Sequence, residues 1–287
     1  MSTVRALVVI PTYNEIENIA PLTREIMRVF DEYKSSTREA SGAGLLGSYG
    51  VSGGVSGGAY QGSAGAVGSH ARSDLSLEIL VVDDNSPDGT AQEVLRLAEM
   101  PELRGRLHLL SRPGKQGLGR AYIAGFKWAL ERGYAWAIEM DADFSHRPVD
   151  LMKLLDVLLF GDESGRYDFA CGSRWVPGGG TVNWGLGRKI ISRGGSLYSR
   201  LILGFPWRDW TGGFNAWTAK CLQGIGLDAI QSNGYSFQIE LKYRSLKRGF
   251  RGVEVPILFE DRRVGQSKMS TKIVLEAFVR VWSIRKR

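Results

Sequence analysis

Short apolar runs alternate along the chain with longer stretches in which apolar residues recur at helical spacing. The runs are rich in β-branched residues and typical of strands buried on both faces; they cover residues 4–10, 78–82, 106–110, 134–139, 168–171 and 251–258. The longer stretches predict helices over residues 16–33, 91–99, 119–132 and 149–160. Because parallel neighbours in a sheet need a crossover helix, this order predicts an α/β fold with a mostly parallel central sheet flanked by helices.

One segment, residues 35–76, departs from this pattern. It consists largely of Gly, Ser and Ala, and it has too few large apolar residues to offset the entropy lost on ordering. Because the cost of closing a loop rises only logarithmically with its length, an insertion there need not disturb the fold. We therefore predict a single domain formed by residues 1–34 and 77–260, with a flexible Gly/Ser-rich insertion at 35–76.

The composition is that of a globular protein with excess positive charge. Of the 287 residues 43% are hydrophobic, which allows a sizeable core in one domain. Lys and Arg exceed Asp and Glu by 37 − 30 = 7, so the surface should attract nucleic acid, nucleotide phosphates or anionic lipid. Cys171 and Cys221 belong to no CxxC motif, so we expect buried thiols and neither a disulfide framework nor a zinc site.

No charged leader precedes an apolar run at the start of the sequence, and no eighteen consecutive residues are apolar. Such features would mark a signal peptide or a membrane-spanning helix. The expected location is therefore cytoplasmic, unless something holds the protein to a membrane.

Polar motifs follow three of the predicted strands at the points where they end. They are PTYNE at 11–15, DDNSPDGT at 83–90 and MDADFSH at 140–146. One such cluster is equally consistent with a turn or a helix cap. Three of them would converge on one edge of a parallel sheet, which is where open α/β sheets bind ligands.

The DAD triplet in the third motif places Asp141 and Asp143 two residues apart. Two carboxylates at this spacing can approach one divalent cation, and hard oxygen ligands favour Mg²⁺ or Mn²⁺. Such a cation can neutralise a leaving diphosphate. DxD triplets also occur by chance, so this prediction depends on the neighbouring motifs.

A further motif, RPGKQGLGRAYIAG at 112–125, places a Lys and a GLG sequence directly before a predicted helix. Main-chain N–H groups at a helix N-terminus, with a cation nearby, can bind an anion. A loop shaped by its glycines is an equally good interpretation. The segment contains neither GxxxxGK[ST] nor GxGxxG, which disfavours an NTPase or a dehydrogenase.

Taken together, the motifs PTYNE, VVDDNSPDGT, GLGRAY, MDADFSH, GSRW and TGGFNAW resemble those of dolichol-phosphate mannose synthases and bacterial polyprenol-phosphate mannosyltransferases of glycosyltransferase family 2. The resemblance covers nearly the whole chain except 35–76. It implies a Rossmann-like GT-A fold and an inverting hexosyltransferase of the dolichyl-phosphate β-D-mannosyltransferase type. The implied substrates are GDP-mannose and a polyprenyl monophosphate, and the implied cofactor is Mg²⁺ or Mn²⁺.

The resemblance also implies roles for individual residues. Those expected at the nucleotide are Pro11, Tyr13, Glu15, Val82, Asp84 and Lys115. Asp141 and Asp143 would hold the metal, with Ala142 lining the site. The cations expected at donor or acceptor phosphates are Arg174, Arg188, Arg262 and Lys268. The catalytic group would be Asp141, Asp143, Arg174 and Arg262. This sequence departs from the family pattern at two positions that bear on metal and acceptor contact, since family members often carry Gln where Ser145 stands and a basic residue where Asn215 stands.

An independent argument favours a phosphate acceptor. A sugar hydroxyl needs a general base to become a nucleophile, whereas a lipid phosphate is already anionic near neutral pH. The main work of the protein would then be to position two anionic substrates and to stabilise their charge.

Residues 261–287 are expected to form an acceptor loop and a C-terminal amphipathic helix. An apolar stripe on that helix could lie on anionic lipid or pack on the core, and it comprises Ile273, Val274, Ala277, Phe278, Val281 and Trp282. Residues 188–207 are a second candidate for a lipid contact. We therefore expect a peripheral protein at the cytoplasmic face of a membrane, with or without a separate anchoring subunit.

Two alternatives to a mannosyltransferase stay open. One is a transferase that takes glucose or N-acetylglucosamine from a UDP donor to polyprenyl phosphate. The other is a module that binds a nucleotide sugar or a lipid without catalysis, although the intact DAD and PTYNE motifs argue against it. A nucleic-acid partner is not expected, because the basic residues are interleaved with acidic strand ends and form no continuous stripe.

Overall fold

The computed structural model describes residues 3–39, 52–53, 72, 74–261 and 280–286. Within these ranges the strands are β1 Val4–Thr12, β2 Ser52–Gly53, β3 Leu75–Asp83, β4 Leu107–Ser111, β5 Trp136–Glu139, β6 Phe169–Ser173, β7 Gly180–Val182, β8 Asn215–Thr218, β9 Gly252–Pro256 and β10 Leu258–Glu260. The α-helices are α1 Ile16–Glu39, α2 Thr90–Ala98, α3 Leu118–Glu131, α4 Pro148–Phe160, α5 Leu186–Leu203, α6 Ala219–Ile225 and α7 Tyr235–Lys247.

Most of these strands belong to one sheet, of order β2-β9-β6-β8-β5-β1-β3-β4 in the described part of the chain. Strand β1 pairs in parallel with β3 and β5, β3 with β4, and β6 with β9. Strand β8 runs antiparallel between β5 and β6. Strands β7 and β10 form a separate parallel pair. The predicted α/β fold with a mostly parallel sheet is therefore confirmed.

The two faces of the sheet are covered by different helices. Alternate residues of β1 point to opposite faces: Ala6, Val8 and Ile10 pack with α1, α2 and α4, whereas Leu7 and Val9 pack with α3, α6 and α7. All five side chains are fully buried. This explains why β1 is a continuous apolar run, since each face of a parallel sheet needs its own apolar contacts.

The bounds of several elements differ from those predicted. Helix α1 continues through Glu39 and β3 begins at Leu75, so both extend into the predicted insertion. Apart from these ends, Arg72 and Asp74, the described part of the insertion is β2, which pairs antiparallel with β9. The predicted strand 251–258 is two strands, because β9 and β10 pair with different partners. The flexibility of the insertion stays a prediction, since most of it lies outside the described residues.

The C-terminal segment packs on the core over residues 280–286, which are helical. Val281 and Ile284 are buried with Leu203 of α5, and the guanidinium of Arg285 donates a 2.7 Å hydrogen bond to the carbonyl of Ile202. Of the predicted apolar stripe, Val281 therefore faces the core, whereas the other described member, Trp282, is exposed. The remaining members lie outside the described residues. In the part of the chain that is described, no helix combines the length and hydrophobicity needed to span a bilayer.

Gly125 lies where α3 crosses β1 and β3. A methyl group at this position would lie 2.3 Å from Cγ1 of Val9 and 3.3 Å from Cγ2 of Val82, and both valines are fully buried. We therefore expect Gly125→Ala to lower the free energy of unfolding by about 1–3 kcal/mol, because the core must shift to admit the methyl group. Urea unfolding measures this change. Gly114→Ala is the matched control, since its methyl group meets no atom within 4 Å; equal stabilities of the two variants would contradict the prediction.

Candidate active site

The first two polar motifs are tied together at the carboxyl ends of β1 and β3. The hydroxyl of Thr12 donates to Oδ1 of Asp83 at 3.0 Å, and the main-chain N–H of Asn14 donates to Oγ of Ser86 at 3.1 Å. Because β5 pairs with the other side of β1, the DAD motif follows at the same edge. The predicted convergence of the three motifs is therefore observed.

Each of the three motifs contains a residue with a left-handed main chain. Asn14, Asn85 and Phe144 have φ angles of 61°, 59° and 63°. Asn adopts this conformation readily, but a bulky residue does so at a cost of roughly 1–2 kcal/mol. The strain at Phe144 falls directly after Asp143, and strained residues concentrate at functional sites.

The GLG segment lies against the first two motifs. The ammonium of Lys115 is 4.3 Å from the ring centroid of Tyr13, whose ring is partly exposed. Arg112 donates a 2.6 Å hydrogen bond to Oδ1 of Asp84 and a 3.1 Å hydrogen bond to the side chain of Gln116. The structure therefore brings Tyr13, Asp84 and Lys115 together, as their proposed common role at the nucleotide requires.

Three other predicted nucleotide contacts differ in accessibility. Pro11 is partly exposed and pairs in register with Val82. The carboxylate of Glu15 accepts a 2.7 Å hydrogen bond from Asn18. The side chain of Val82, however, is fully buried in the core. The prediction for this residue is corrected accordingly, because Val82 has no exposed surface and lies inside the sheet between Pro11 of β1 and Leu110 of β4, where a nucleotide cannot contact it.

The two carboxylates of the DAD motif are held by neighbouring groups. Asp141 accepts a 3.0 Å hydrogen bond from the hydroxyl of Tyr122, and Asp143 accepts one of 3.0 Å from the N–H of Ser145. The intervening Ala142 is buried. The hydroxyl of Ser145 is also buried and has no hydrogen-bond partner among the described residues.

This donor set fits Mg²⁺ or Mn²⁺. Carboxylate and hydroxyl oxygens are the hard ligands that these cations prefer, and a buried hydroxyl without a partner needs one. Within the described ranges, no group of three or more His, Cys, Asp and Glu side chains is arranged to hold a metal. A cation here would therefore need further oxygen ligands from substrate or water, as is usual for Mg²⁺ at phosphates.

His146 fixes the main chain of the DAD motif. Its Nδ1 accepts a 3.1 Å hydrogen bond from the N–H of Asp141, and its ring stacks on Phe214 at 4.8 Å and meets Phe259 edge-on at 5.2 Å. Burial lowers the pKa of His146, although Asp141 and Asp143 oppose this effect. The imidazole is therefore neutral near pH 7 and acts as an acceptor for the main chain.

Arg174 of the GSRW motif is paired with a carboxylate that the sequence analysis missed. Its Nε and Nη2 donate to the two oxygens of Asp209 at 2.7 Å each, and Nη2 also donates to Thr211 at 2.9 Å. Both members of the pair are buried. Burial alone would raise the pKa of Asp209, but Arg174 and Lys242 lower it to about 2. The charge of Arg174 is therefore balanced within the protein, and these bonds do not use Nη1.

An aromatic cluster connects the arginines with the DAD motif. Phe259 contacts His146, and its ring centroid lies 5.4 Å from Cζ of Arg174 and 5.3 Å from the ring of Trp184. Arg188 stacks on Trp184, with its Cζ 3.9 Å from that ring, and donates a 2.6 Å hydrogen bond to Asp261. Arg174 and Arg188 are therefore brought together beside the DAD motif. The other two predicted phosphate ligands, Arg262 and Lys268, lie outside the described residues.

Beneath this cluster lies a buried polar network contributed by α7 and β8. The ammonium of Lys242 donates to the carbonyls of Asp209, Trp210 and Gly212 at 3.0, 3.4 and 2.7 Å. Glu139 accepts hydrogen bonds from side chains of the same region, namely Trp217, Asn215 and Gln238. Asn215, which departs from the family pattern, is thus part of the network. Little in the sequence indicated this network, because α7 and β8 carry none of the acidic strand-end motifs.

Two buried carboxyl groups make stability depend on pH. Burial raises the pKa of Glu139 and of Glu254 from 4.5 to about 7. At a pH between 4.5 and 7 each of these carboxyl groups is protonated in the folded chain but ionised in the unfolded chain. Its contribution to the free energy of unfolding is therefore full below pH 4.5 and is lost as the pH rises through 7. A shift of 7 − 4.5 = 2.5 units corresponds to on the order of 3 kcal/mol per group.

We therefore expect the urea midpoint to fall between pH 5 and pH 8. Glu254→Gln should flatten this dependence, because the amide cannot ionise. A midpoint that rises over this range in the unsubstituted chain would contradict the prediction. If the urea midpoint falls equally steeply with pH in the variant and in the unsubstituted chain, the pH dependence comes from groups other than Glu254.

The fold and the site together define a class of enzyme. The family model described as Glycosyl transferase family 2 matches residues 67–221, more than half of the chain. The chain belongs to this family and is a glycosyltransferase. The family resemblance and the enzyme class predicted from the motifs are therefore confirmed.

Two relatives narrow the comparison further. The chain is 42% identical over 286 residues to the undecaprenyl-phosphate mannosyltransferase of Micrococcus luteus, and the match covers 99% of the chain and 96% of that protein. It is 46% identical over 215 residues to the polyprenol monophosphomannose synthase of Mycolicibacterium smegmatis, a match that covers 74% of the chain and 78% of that protein.

A solved structure shares the fold. Glucosyl-3-phosphoglycerate synthase from Mycobacterium tuberculosis, in complex with Mn²⁺, UDP-glucose and phosphoglyceric acid, has a TM-score of 0.59 and 15% identity, covering 98% of this chain and 80% of that one. The same enzyme has also been solved with Mg²⁺ and UDP. At this identity the similarity shows the fold alone, and the predicted GT-A architecture is confirmed.

Proposed function

We propose that the protein transfers mannose from GDP-mannose to the phosphate of a polyprenyl lipid. The names of the two relatives support this donor sugar and this acceptor class. The observation that carries the proposal is the position of Asp141, Asp143 and the Ser145 hydroxyl beside two arginines. Such a site suits two anionic substrates that must meet.

The reaction is a single displacement. An oxygen of the acceptor phosphate attacks the anomeric carbon of mannose, the new C–O bond forms, and the bond to the diphosphate breaks, so GDP leaves with the electron pair. The acceptor is already anionic, so no proton has to be removed. This agrees with the state of His146, whose Nδ1 is occupied by the Asp141 N–H. A divalent cation held by Asp141 and Asp143 would neutralise charge on the leaving diphosphate.

The remaining residues have proposed roles in positioning. Tyr13 and Lys115 present a flat ring and a cation next to one another, which suits a guanine base and its ribose. Arg188, with Arg262 and Lys268, would bind donor or acceptor phosphates. Arg174 would act through Nη1 while Asp209 holds the rest of its guanidinium.

A transfer assay tests the proposal against its alternatives. We expect radiolabelled mannose from GDP-mannose to appear on a short polyprenyl phosphate in the presence of Mn²⁺ or Mg²⁺. Preferential transfer from UDP-glucose or UDP-N-acetylglucosamine would mean that the proposed donor is wrong but that the protein is still a glycosyltransferase acting on polyprenyl phosphate. Tight binding of GDP-mannose without turnover on polyprenyl phosphates of several lengths would support the non-catalytic module instead.

The acceptor also bears on location. A polyprenyl chain keeps its phosphate at a membrane surface, so we propose that the protein works as a peripheral protein at the cytoplasmic face. A separate membrane subunit would be compatible with this proposal. Fractionation of cells that lack any such subunit, followed by the transfer assay on the membrane pellet, distinguishes direct from assisted attachment.

A further inference from the structure

Helix α5 turns apolar side chains towards solvent. Leu186, Ile190, Leu197 and Leu201 are 78%, 71%, 55% and 71% exposed, whereas the buried positions of the same helix are Ser196, Ser199 and Leu203. A helix on the surface of a soluble protein normally has the opposite arrangement, with its apolar face on the core.

The four exposed side chains lie on one stripe. They are spaced by four, seven and four residues, which at 3.6 residues per turn places them within about 60° of one another around the helix axis. Scattered exposed apolar residues need no explanation, but an aligned group of this size marks an interaction surface.

The charges of α5 indicate what kind of partner fits this stripe. The helix contains four basic residues, Arg188, Lys189, Arg193 and Arg200, and no acidic residue. At 100° per residue, Lys189, Arg193 and Arg200 lie on or beside the stripe. Apolar side chains interleaved with Lys and Arg are typical of a helix that lies in the headgroup region of an anionic bilayer.

A second helical segment packs against the end of α5. Residues 280–286 pack against the end of α5 through the Arg285 hydrogen bond to the carbonyl of Ile202. In this segment Trp282 and Lys286 are exposed. Tryptophan and basic side chains are both enriched at membrane–water interfaces. The end of α5 therefore adjoins a segment about eighty positions further along the sequence that also carries residues typical of a membrane interface.

The start of α5 also adjoins the candidate active site. Arg188, in its first turn, stacks on Trp184, which in turn lies 5.4 Å from Cζ of Arg174. A bilayer against the stripe would thus meet the protein beside the arginines proposed to bind phosphate.

We propose that the outer face of α5 is the membrane-docking surface of this enzyme. Leu186, Ile190, Leu197 and Leu201 insert into the leaflet, while Lys189, Arg193 and Arg200 contact anionic headgroups. The biological meaning of this contact rests on the proposed function, but vesicle binding can be measured without donor, acceptor or turnover.

The test uses sedimentation with vesicles of phosphatidylcholine, with and without phosphatidylglycerol. The full chain should bind the anionic vesicles, and Ile190→Gln/Leu197→Gln/Leu201→Gln should weaken this binding by roughly tenfold or more. Lys189→Gln/Arg193→Gln/Arg200→Gln should abolish the preference for anionic vesicles. The matched control is Leu95→Gln on α2, which removes a side chain that is 57% exposed and should leave binding unchanged.

Three results would overturn the proposal. Unchanged vesicle binding in the apolar triple variant would mean that the stripe is covered by protein or not used. A dimer of the unsubstituted chain that the triple variant converts to a monomer would assign the stripe to a second copy. Equal loss for Leu95→Gln would make the effect nonspecific. Thermal unfolding of each variant checks that it is folded. The rate of transfer to a short, water-soluble polyprenyl phosphate should differ by less than about twofold between each variant and the unsubstituted chain. If the unsubstituted chain transfers no mannose but binds vesicles as expected, the proposed function is contradicted and the docking proposal is not.

Discussion

Asp143→Ala is expected to reduce mannose transfer by about a thousandfold, the scale on which the loss of one charge-stabilising group acts. The carboxylate of Asp143 accepts a hydrogen bond from the N–H of Ser145, whose hydroxyl is buried, and with Asp141 it forms the proposed cation site. Removing it takes away one negative ligand, so the cation that would balance the leaving diphosphate binds more weakly. Initial rates measured across a range of Mn²⁺ concentrations check the loss and its dependence on metal.

A second substitution separates charge from structure. Asp143→Asn keeps an oxygen that can accept the Ser145 N–H but removes the negative charge. It should be nearly as inactive as Asp143→Ala while unfolding at the same urea concentration as the unsubstituted chain. Asp228→Ala, which removes an exposed carboxylate elsewhere, should transfer mannose normally. Full activity of either Asp143 variant would remove the metal hypothesis.

Asp209→Ala is expected to lower the free energy of unfolding by about 3–5 kcal/mol, because it leaves the buried guanidinium of Arg174 without its counter-charge. It also removes the acceptor for the N–H of Gly212. Equilibrium unfolding in urea measures the change. Lys220→Met breaks an ion pair whose lysine is 76% exposed, and it should cost less than about 1 kcal/mol.

A double variant distinguishes the structural and catalytic parts of this pair. Arg174→Met/Asp209→Leu replaces both charges with apolar groups, and such replacements are often close to neutral for stability. We expect it to be more stable than Asp209→Ala and still deficient in transfer, because Arg174 is gone. Recovery of activity together with stability would mean that Arg174 is purely structural.

Sequence-based prediction of the site was strongest for side chains at the ends of parallel strands. Tyr13, Asp84 and Asp141 each come directly after a strand that its apolar run predicts. The helices predicted between these strands imply that the strands are parallel, so the convergence of the three residues at one edge of the sheet could be expected from the sequence alone. Val82 shows the limit of this argument. The motif that follows Val82 was placed correctly at the edge of the sheet. Whether the Val82 side chain itself faces the core or the ligand depends on the pleat of the strand and on the helix that covers it, and in the structure it is fully buried.

The sequence by itself determined the alternation of buried strands and helices, the three strand-end motifs and the family that they resemble, because these features are local or occur in a fixed order. The tertiary structure alone decided which groups balance which charges. Arg174 meets Asp209 across 35 positions, and Asp209 meets Lys242 across 33. The tertiary structure also turned the apolar stripe of α5 outwards, since helical periodicity defines a stripe but does not determine whether it faces the core or the surroundings. The physical reason is common to both cases: burial and ion pairing depend on elements that meet only after the chain has folded.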